Sequence, residues 1–190
     1  MRRLLMCGAL LFLDCSDYSR SAHVVSAPKD DGFLKVTQGW ERRSQLGDLL
    51  TRPMGADDVE LRVWVGYGDG PPPSGLILRR TLGKWAAWDA QVTRVAVRES
   101  DDTLIVEQVA RNADLEKAWR DAVRAGVLAL PPKRWRGAMD GGDYVIEVRR
   151  GNEYRASVIE VVDPPEVDAD RQVKAIYKIV MTGLLFPDYY

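Results

Sequence analysis

The residues of this chain that could do chemistry are few, and none of them forms a recognisable catalytic pattern. Nucleophilic catalysis usually needs a base beside a serine or cysteine. The only histidine is His23, and both cysteines, Cys7 and Cys15, lie close to the start of the chain. The Gly-x-Ser-x-Gly sequence of a nucleophile elbow does not occur. We therefore predict no nucleophilic active site.

Carboxylates are the remaining candidates for metal or acid–base chemistry. Asp140 and Asp143 lie on either side of two glycines, and oxygen ligands on such a turn suit calcium. Two aspartates are too few for a calcium loop, and an ordinary turn before a strand explains the same sequence. Glu147 and Glu160 could form an acid–base pair on neighbouring strands, whereas the simpler interpretation pairs Glu147 with Arg155. We predict no metal ion and no cofactor.

Aromatic residues are the candidates for binding. Trp64, Tyr67, Trp85 and Trp88 come from neighbouring strands of a predicted meander. An exposed cluster of these rings could stack on a sugar or on a partner's side chain. The alternative is that a helix covers this face, so that the rings belong to the core. Trp135 lies in a short basic loop that could contact an anionic surface or could simply be solvated.

The composition restricts the class of protein. A chain of 190 residues that is 46% hydrophobic and contains six tryptophans can build a substantial core, as one domain or a tightly joined pair. The net charge of −1 argues against a nucleic-acid binder, which usually carries a basic excess. Arginine is much more frequent than lysine, which indicates a GC-rich coding sequence and a bacterial source.

Residues 1–15 resemble an export leader. A basic start precedes an apolar run that is too short to span a membrane. Cys15 then occupies the position of the lipidated cysteine of bacterial lipoproteins, although Asp14 stands where that motif has a small residue. Cleavage after Ser21, a misplaced start codon and a buried apolar strand are the alternatives. We predict a protein exported to the periplasm or cell envelope, with Cys15 as the candidate lipidation site.

The rest of the chain is predicted to be a flexible tether (16–35) followed by one α+β domain (36–190). Residues 59–67 alternate with period two, and further strands are predicted at 76–81 and at 85–88. Residues 91–98 either continue this third strand or form a fourth, so the meander has three or four strands. Spaced leucines at 46–50 predict a short helix that ends near a proline. The later helices begin at residue 112 or 114 and at residue 168 or 170, and glycines end them at 126 and 183.

The clearest single element is a β-hairpin over residues 140–162. A three-residue loop sets Val148 opposite Tyr154 and Glu147 opposite Arg155, so that one face is apolar and the other carries paired charges. A two-residue loop at Gly151-Asn152 would mix polar and apolar side chains on both faces, so we predict the three-residue loop. The predicted fold is an antiparallel sheet, built from the meander and this hairpin, with two main helices packed on one face.

Several of these segments together resemble a pattern in uncharacterised bacterial secreted proteins and lipoproteins. The pattern is a helix followed by Leu130-Pro131, the segment Asp140-Gly-Gly-Asp-Tyr-Val-Ile-Glu147, a turn, Tyr154-Arg155, and Pro164-Pro165 before a last helix. The strand at 61–64 and the turn at 83–85 also resemble segments of such proteins. The resemblance covers about half of the chain. It implies no activity and assigns no functional residues.

The sequence therefore favours a non-enzymatic envelope protein, exported or lipid-anchored, that binds an envelope protein or glycan. Nucleic acid is not an expected partner, and the membrane is expected to be reached only through a lipid anchor. The alternative is a hydrolase of envelope material that uses carboxylates such as Glu147 or Asp143. A third interpretation is a periplasmic carrier, which would enclose a small ligand in an apolar cavity.

Overall fold

The computed structural model describes residues 22–66, 74–93, 103–108, 114–134, 142–161 and 168–184. Three α-helices and eight strands lie within these ranges. In chain order they are β1 (His23–Ser26), α1 (Gly32–Arg43), β2 (Val59–Gly66), β3 (Ser74–Thr81), β4 (Lys84–Thr93), β5 (Thr103–Gln108), α2 (Leu115–Arg124), β6 (Lys133–Arg134), β7 (Gly142–Arg150), β8 (Glu153–Val161) and α3 (Asp168–Leu184).

The strands form one mixed sheet in the order β1-β8-β7-β2-β3-β4-β5, and β6 also pairs with β8. The strands from β8 to β5 pair with antiparallel neighbours. The predicted meander is confirmed for β2 to β4, in which residues 85–88 and 91–93 belong to one strand, whereas β5 lies in a stretch that the sequence did not assign. The prediction of a purely antiparallel sheet is wrong, because β1 and β6 both run parallel to β8. Neither strand is joined to β8 by a hairpin, so the antiparallel order of a tight turn does not constrain it.

Helices cover both faces of the sheet. The helices α2 and α3 pack on one face, as predicted, where Ala122 and Ile176 meet Leu61, Val63 and Ile146. The opposite face is covered by α1 and by the irregular segment 44–58, which bury Trp64 and Val145. The sequence analysis offered a covering helix as the alternative for the face of Trp64, but it placed no helix at residues 32–43. Because both faces are buried, charged side chains on the central strands lie inside the protein.

The segment predicted to be a tether contributes to the fold wherever it is described. Residues 23–26 form β1, and α1 begins at Gly32, so a tether up to residue 35 is wrong for these elements. Asp31 caps α1, because its Oδ1 accepts hydrogen bonds from the backbone N–H of Phe33 (3.0 Å) and Leu34 (3.2 Å). The short helix predicted at 46–50 is also wrong. That stretch is a set of turns whose buried leucines pack against the sheet.

Two buried arginines explain how an irregular segment can cover a sheet. Arg62 donates to the carbonyls of Gly47 (2.9 Å) and Leu46 (3.3 Å), and Arg149 donates to the carbonyl of Leu49 (2.8 Å). These carbonyls have no regular ladder to join, and a buried carbonyl without a partner is costly. The guanidinium groups therefore fix the 44–58 segment against β2 and β7.

The β7–β8 hairpin has the two-residue loop that the sequence analysis rejected. Arg150 pairs with Glu153, Val148 with Arg155, and Glu147 with Ala156 rather than with Arg155. The prediction assumed that the charged face meets solvent, but that face lies under α1 and the 44–58 segment. Gly151 has a φ of +54°, and a Cβ there would lie 2.7 Å from the carbonyl oxygen of Ala56. The close approach of these two backbones requires glycine.

The two later helices begin and end at or next to the residues that the sequence analysis predicts. Asp114 caps α2 through a hydrogen bond from the backbone N–H of Lys117 (2.9 Å), and Gly126 ends it with a φ of +88°. The helix α3 begins at Asp168, as predicted, and runs one residue past Gly183. Within the described ranges, no helix is both long enough and apolar enough to cross a membrane.

Candidate functional site

The structure separates the predicted binding residues. Trp64 lies in the core, whereas Trp85 and Trp88 are half-buried beside one cleft. Tyr67, Trp135 and the candidate lipidation site Cys15 fall outside the described residues, as does Asp140 of the candidate calcium turn. An exposed position is therefore wrong for Trp64, and the alternative that a helix covers this ring is confirmed. The two tryptophans of β4 remain as the binding candidates.

Trp64 is buried because α1 lies over it. Its side chain is 0% exposed, and its ring centroid is 6.1 Å from that of Trp40 on the helix. The indole Nε1 donates a 2.9 Å hydrogen bond to Oε1 of Glu41. An indole N–H inside a core needs such a partner, so Trp64 serves to attach α1 to the sheet and presents no surface to a ligand.

A cleft of about 320 Å³ lies at the edge of β4. Its lining consists of Arg79, Thr81, Lys84, Trp85, Ala86, Ala87, Trp88, Gln108 and Leu115. Successive side chains of a strand point to opposite faces of its sheet, so a cleft that borders residues 84–88 must follow the strand's edge. Trp88 pairs with Gln108, the last described residue of β5. The cleft thus lies where the described part of β5 ends and where α2 begins.

Each tryptophan of the cleft has an arginine against its ring. The guanidinium carbon of Arg79 lies 4.7 Å from the ring centroid of Trp88, and that of Arg80 lies 5.5 Å from Trp85. The ring of Trp85 also packs against Trp119 of α2, with centroids 6.5 Å apart. These contacts orient both rings. The cleft therefore combines two oriented aromatic faces with basic and hydrogen-bonding groups.

Arg79 connects this cleft to a buried carboxylate. Glu60 is fully buried and forms ion pairs with Arg52 (2.6 Å), Arg62 (2.7 Å) and Arg79 (2.5 Å). Burial alone would raise the pKa of Glu60, but the three arginines outweigh it and hold the pKa at about 2. Glu60 is therefore a permanent anion that fixes Arg79 over Trp88.

Glu147, one of the candidate catalytic carboxylates, lies in the interior. It is fully buried, and its Oε1 accepts a hydrogen bond from the hydroxyl of Tyr154, which in turn accepts one from Gln38 Nε2 (3.1 Å). Burial and the nearby charge of Glu41 raise the pKa of Glu147 well above its usual value. Glu41 itself pairs with Arg62 at 2.6 Å. With no exposed surface, Glu147 cannot reach a substrate in this structure.

A second cleft, of about 240 Å³, lies at the start of α1. It is lined by Asp31, Gly32, Phe33, Lys133, Asp143, Val158 and Glu160. Asp143 pairs with Glu160 across the β7–β8 ladder, and Lys133 forms a 2.7 Å ion pair with Asp31. Burial, followed by the charges of Glu160 and Asp31, raises the pKa of Asp143. In the part of the chain that is described, no group of three or more histidine, cysteine or acidic residues is arranged to hold a metal ion.

Sequence reasoning missed the arginines that hold the tryptophans, although a signal for one of them was present. Arg80 lies directly opposite Trp85 in the register of β3 and β4, which follows from a two-residue turn at Leu82-Gly83. The second cleft had no such signal, because Lys133 and Asp31 are distant in sequence. Comparison with protein-family models and with curated proteins found no match to this chain.

Proposed function

We propose that this protein is an exported or lipid-anchored component of the cell envelope, and that it binds another envelope macromolecule without catalysing a reaction. The observation that carries the proposal is the β4 cleft, in which Trp85 and Trp88 are each oriented by an arginine. Tryptophan and arginine are the residue types most enriched at the energetic centres of binding surfaces.

The chemistry of the cleft suits a glycan or an extended protein segment. A half-buried indole offers a flat apolar face on which a sugar ring or a partner's side chain stacks. Thr81, Lys84 and Gln108 line the same cleft and supply hydrogen-bonding groups at its border. The arginines need little reordering when a ligand arrives, because Arg79 is already bound to Glu60 and Arg80 donates to the carbonyl of Asp57 (2.6 Å).

The test is binding of the purified protein to isolated cell-wall glycan and to an envelope protein fraction, compared with the variants Trp85→Ala and Trp88→Ala. Loss of one stacked ring should weaken binding by roughly tenfold, which corresponds to a typical central contact. Val123→Ala is the matched control, because Val123 is an exposed apolar residue of α2 that does not line the cleft. Binding that survives both tryptophan substitutions unchanged would contradict the proposal.

A hydrolase is the second candidate, and the Asp143 cleft favours it. A carboxyl group with a raised pKa beside a second carboxyl group suits general acid–base catalysis. Asp143 and Glu160 provide such a pair in a cleft open to solvent. Hydrolysis of cell-wall glycan by the wild-type protein, abolished by both Asp143→Asn and Glu160→Gln but not by Trp88→Ala, would establish this function and displace the binding proposal.

A further inference from the structure

Two carboxyl groups meet inside the protein, beneath α1. Glu41 of α1 and Glu147 of β7 are both 0% exposed, and their side chains hydrogen-bond to each other. An ionised carboxylate can only accept hydrogen bonds, so two ionised carboxylates cannot form this contact. One proton must therefore be held between Glu41 and Glu147.

The neighbouring donors indicate which carboxyl group carries this proton. Both oxygens of Glu41 face donors, since Oε1 accepts from the indole of Trp64 (2.9 Å) and Oε2 forms an ion pair with Arg62 (2.6 Å). Oε1 of Glu147 accepts from the hydroxyl of Tyr154. Oε2 of Glu147 is buried and receives no hydrogen bond from any donor within the described ranges. The proton therefore belongs on Oε2 of Glu147, which donates it to Glu41.

The groups that face Glu147 from the neighbouring elements are consistent with a neutral side chain. Arg62 of β2 favours an ionised Glu147, but it is already paired with Glu60 and Glu41. Tyr154 of β8 remains a neutral donor, because burial raises the pKa of its hydroxyl. Burial and the charge of Glu41 on α1 outweigh Arg62 and raise the pKa of Glu147. The structure with α1 in place therefore stabilises the protonated form.

The helix α1 is the element that can respond to this proton. Residues with positive φ lie before and after it, at Asp30 (+54°) and Gly47 (+67°), so turns separate the helix from its neighbours in the chain. The 44–58 segment that follows is held independently, because Arg62 and Arg149 bind its carbonyl groups. The helix can therefore leave the sheet without removing the rest of the layer.

We propose that the proton shared by Glu147 and Glu41 keeps α1 docked on the sheet, and that rising pH releases this helix while the rest of the fold stays intact. When Oε2 of Glu147 gives its proton to water, two negative charges face each other in the interior, where their repulsion is strong. Release of α1 hydrates both carboxylates and uncovers the ring of Trp64. Because Gly32 and Phe33 of α1 line the second cleft, the same release changes the shape of that cleft.

The direction and the size of the pH effect follow from a single proton. With α1 docked, Glu147 keeps its proton above pH 4.5, the ordinary pKa of a glutamate, whereas with α1 released it loses the proton to water. The equilibrium constant for release of α1 should therefore be constant below pH 4.5. It should rise by about tenfold per pH unit from there to the raised pKa of Glu147, and level off above it.

Hydrogen–deuterium exchange of the full-length protein between pH 5 and pH 8, measured by mass spectrometry of peptides from α1 and α2, tests the proposal. After correction for the intrinsic exchange rate, the protection of α1 amides should fall by up to about tenfold per pH unit. In Glu147→Gln the side-chain amide donates to Glu41 at every pH, so α1 protection should not change with pH. Glu153→Gln is the matched control, because Glu153 is exposed on the same hairpin and its α1 profile should equal that of the wild type.

A low concentration of urea distinguishes release of α1 from unfolding of the whole protein. Local release exposes little surface, so urea should lower α1 protection much less than it lowers α2 protection. An equal response of the two helices to urea would overturn the proposal, because α1 would then open only with the entire fold. A wild-type α1 profile that is independent of pH, or that matches the profile of Glu147→Gln, would also overturn it. The wild-type measurements alone can therefore contradict the proposal, even if Glu147→Gln does not fold.

Discussion

The indole of Trp64 on β2 donates a 2.9 Å hydrogen bond to the carboxylate of Glu41 on α1, and both side chains are fully buried. This contact joins a central strand to the helix that covers it. Glu41 also pairs with Arg62, two residues before Trp64 on β2. The underside of α1 is therefore attached through polar groups as well as apolar ones, and its position depends on their geometry.

Gly75→Ala should disrupt this contact. Gly75 of β3 pairs with Trp64, and a Cβ at that position would overlap the indole ring. The ring must shift away from Glu41, and we expect a loss of roughly 1–3 kcal/mol in the free energy of unfolding, as is usual for overpacking. Urea denaturation measures the effect.

Gly39→Ala is the control for that substitution. Gly39 lies within α1, and nothing would come within 4 Å of a Cβ there. Replacing a glycine by alanine inside a helix should stabilise the protein by roughly 0.5–1 kcal/mol. If Gly75→Ala is as stable as the wild-type protein, Trp64 does not occupy the described position.

Glu60→Gln should be among the most destabilising single substitutions. Glu60 neutralises Arg52, Arg62 and Arg79 in the interior, and removal of one partner from a buried ion network typically costs roughly 3–5 kcal/mol. Because the pKa of Glu60 is lowered to about 2, its contribution to stability is present above its unfolded pKa near 4.5. That contribution is lost as the pH falls through the interval from 4.5 to 2.

Urea denaturation between pH 2.5 and pH 6 tests this prediction, with Glu116→Gln as the control. Glu116 forms an exposed ion pair with Arg120 on α2 at 3.1 Å, and such a pair contributes roughly 0.5 kcal/mol or less. The wild-type protein should lose stability towards low pH more steeply than Glu60→Gln does. Parallel pH profiles of these two proteins would show that Glu60 is not an ionised buried group.

The sequence predicted those elements in which apolar residues recur at the regular spacing of a strand or a helix. The strand β2 and the helices α2 and α3 were found in this way. The helix α1 was missed because its buried face includes Thr37 and Glu41 beside Leu34 and Trp40. When polar residues interrupt the apolar stripe, the sequence pattern no longer predicts a helix with a buried face. Only the folded structure shows the partners that stabilise the buried Glu41.

The same limitation explains the error in the hairpin register. On β7, Glu147 and Arg149 looked like a solvated face, and this argument excluded the two-residue loop that the structure contains. Trp64 was ambiguous for a related reason, since it shares its face of β2 with Glu60 and Arg62, which read as exposed. Trp85 and Trp88 were singled out as aromatic candidates and do lie at a cleft. Burial of charge depends on long-range partners, which local patterns do not contain.

Glu147→Gln should change how stability depends on pH. The pKa of Glu147 is raised by burial and by Glu41, so the folded protein retains a proton that the unfolded chain releases near pH 4.5. The contribution of the protonated Glu147 to the free energy of unfolding is therefore fully present below pH 4.5 and is lost as the pH rises towards the raised pKa. A neutral glutamine imitates the protonated side chain at every pH.

The free energy of unfolding, measured by urea denaturation from pH 5 to pH 9, should therefore fall with pH more steeply in the wild-type protein than in Glu147→Gln. Glu153→Gln provides the control, because Glu153 is exposed at the end of the same hairpin and its substitution should leave the wild-type slope unchanged. If the wild-type protein and Glu147→Gln show the same slope, the buried carboxyl group is not protonated.

The proposed envelope location makes a prediction about Cys15. If a lipid anchor retains the protein, the mature chain in the membrane fraction of its native host should begin at Cys15 and carry the added mass of a diacylglyceryl or triacyl group. Intact mass spectrometry of the membrane and soluble fractions measures this directly. Cys15→Ser should move the protein to the soluble fraction. An unmodified chain starting near Ala22 would instead support a free exported protein, and an intact chain from Met1 in the cytosol would contradict the envelope proposal.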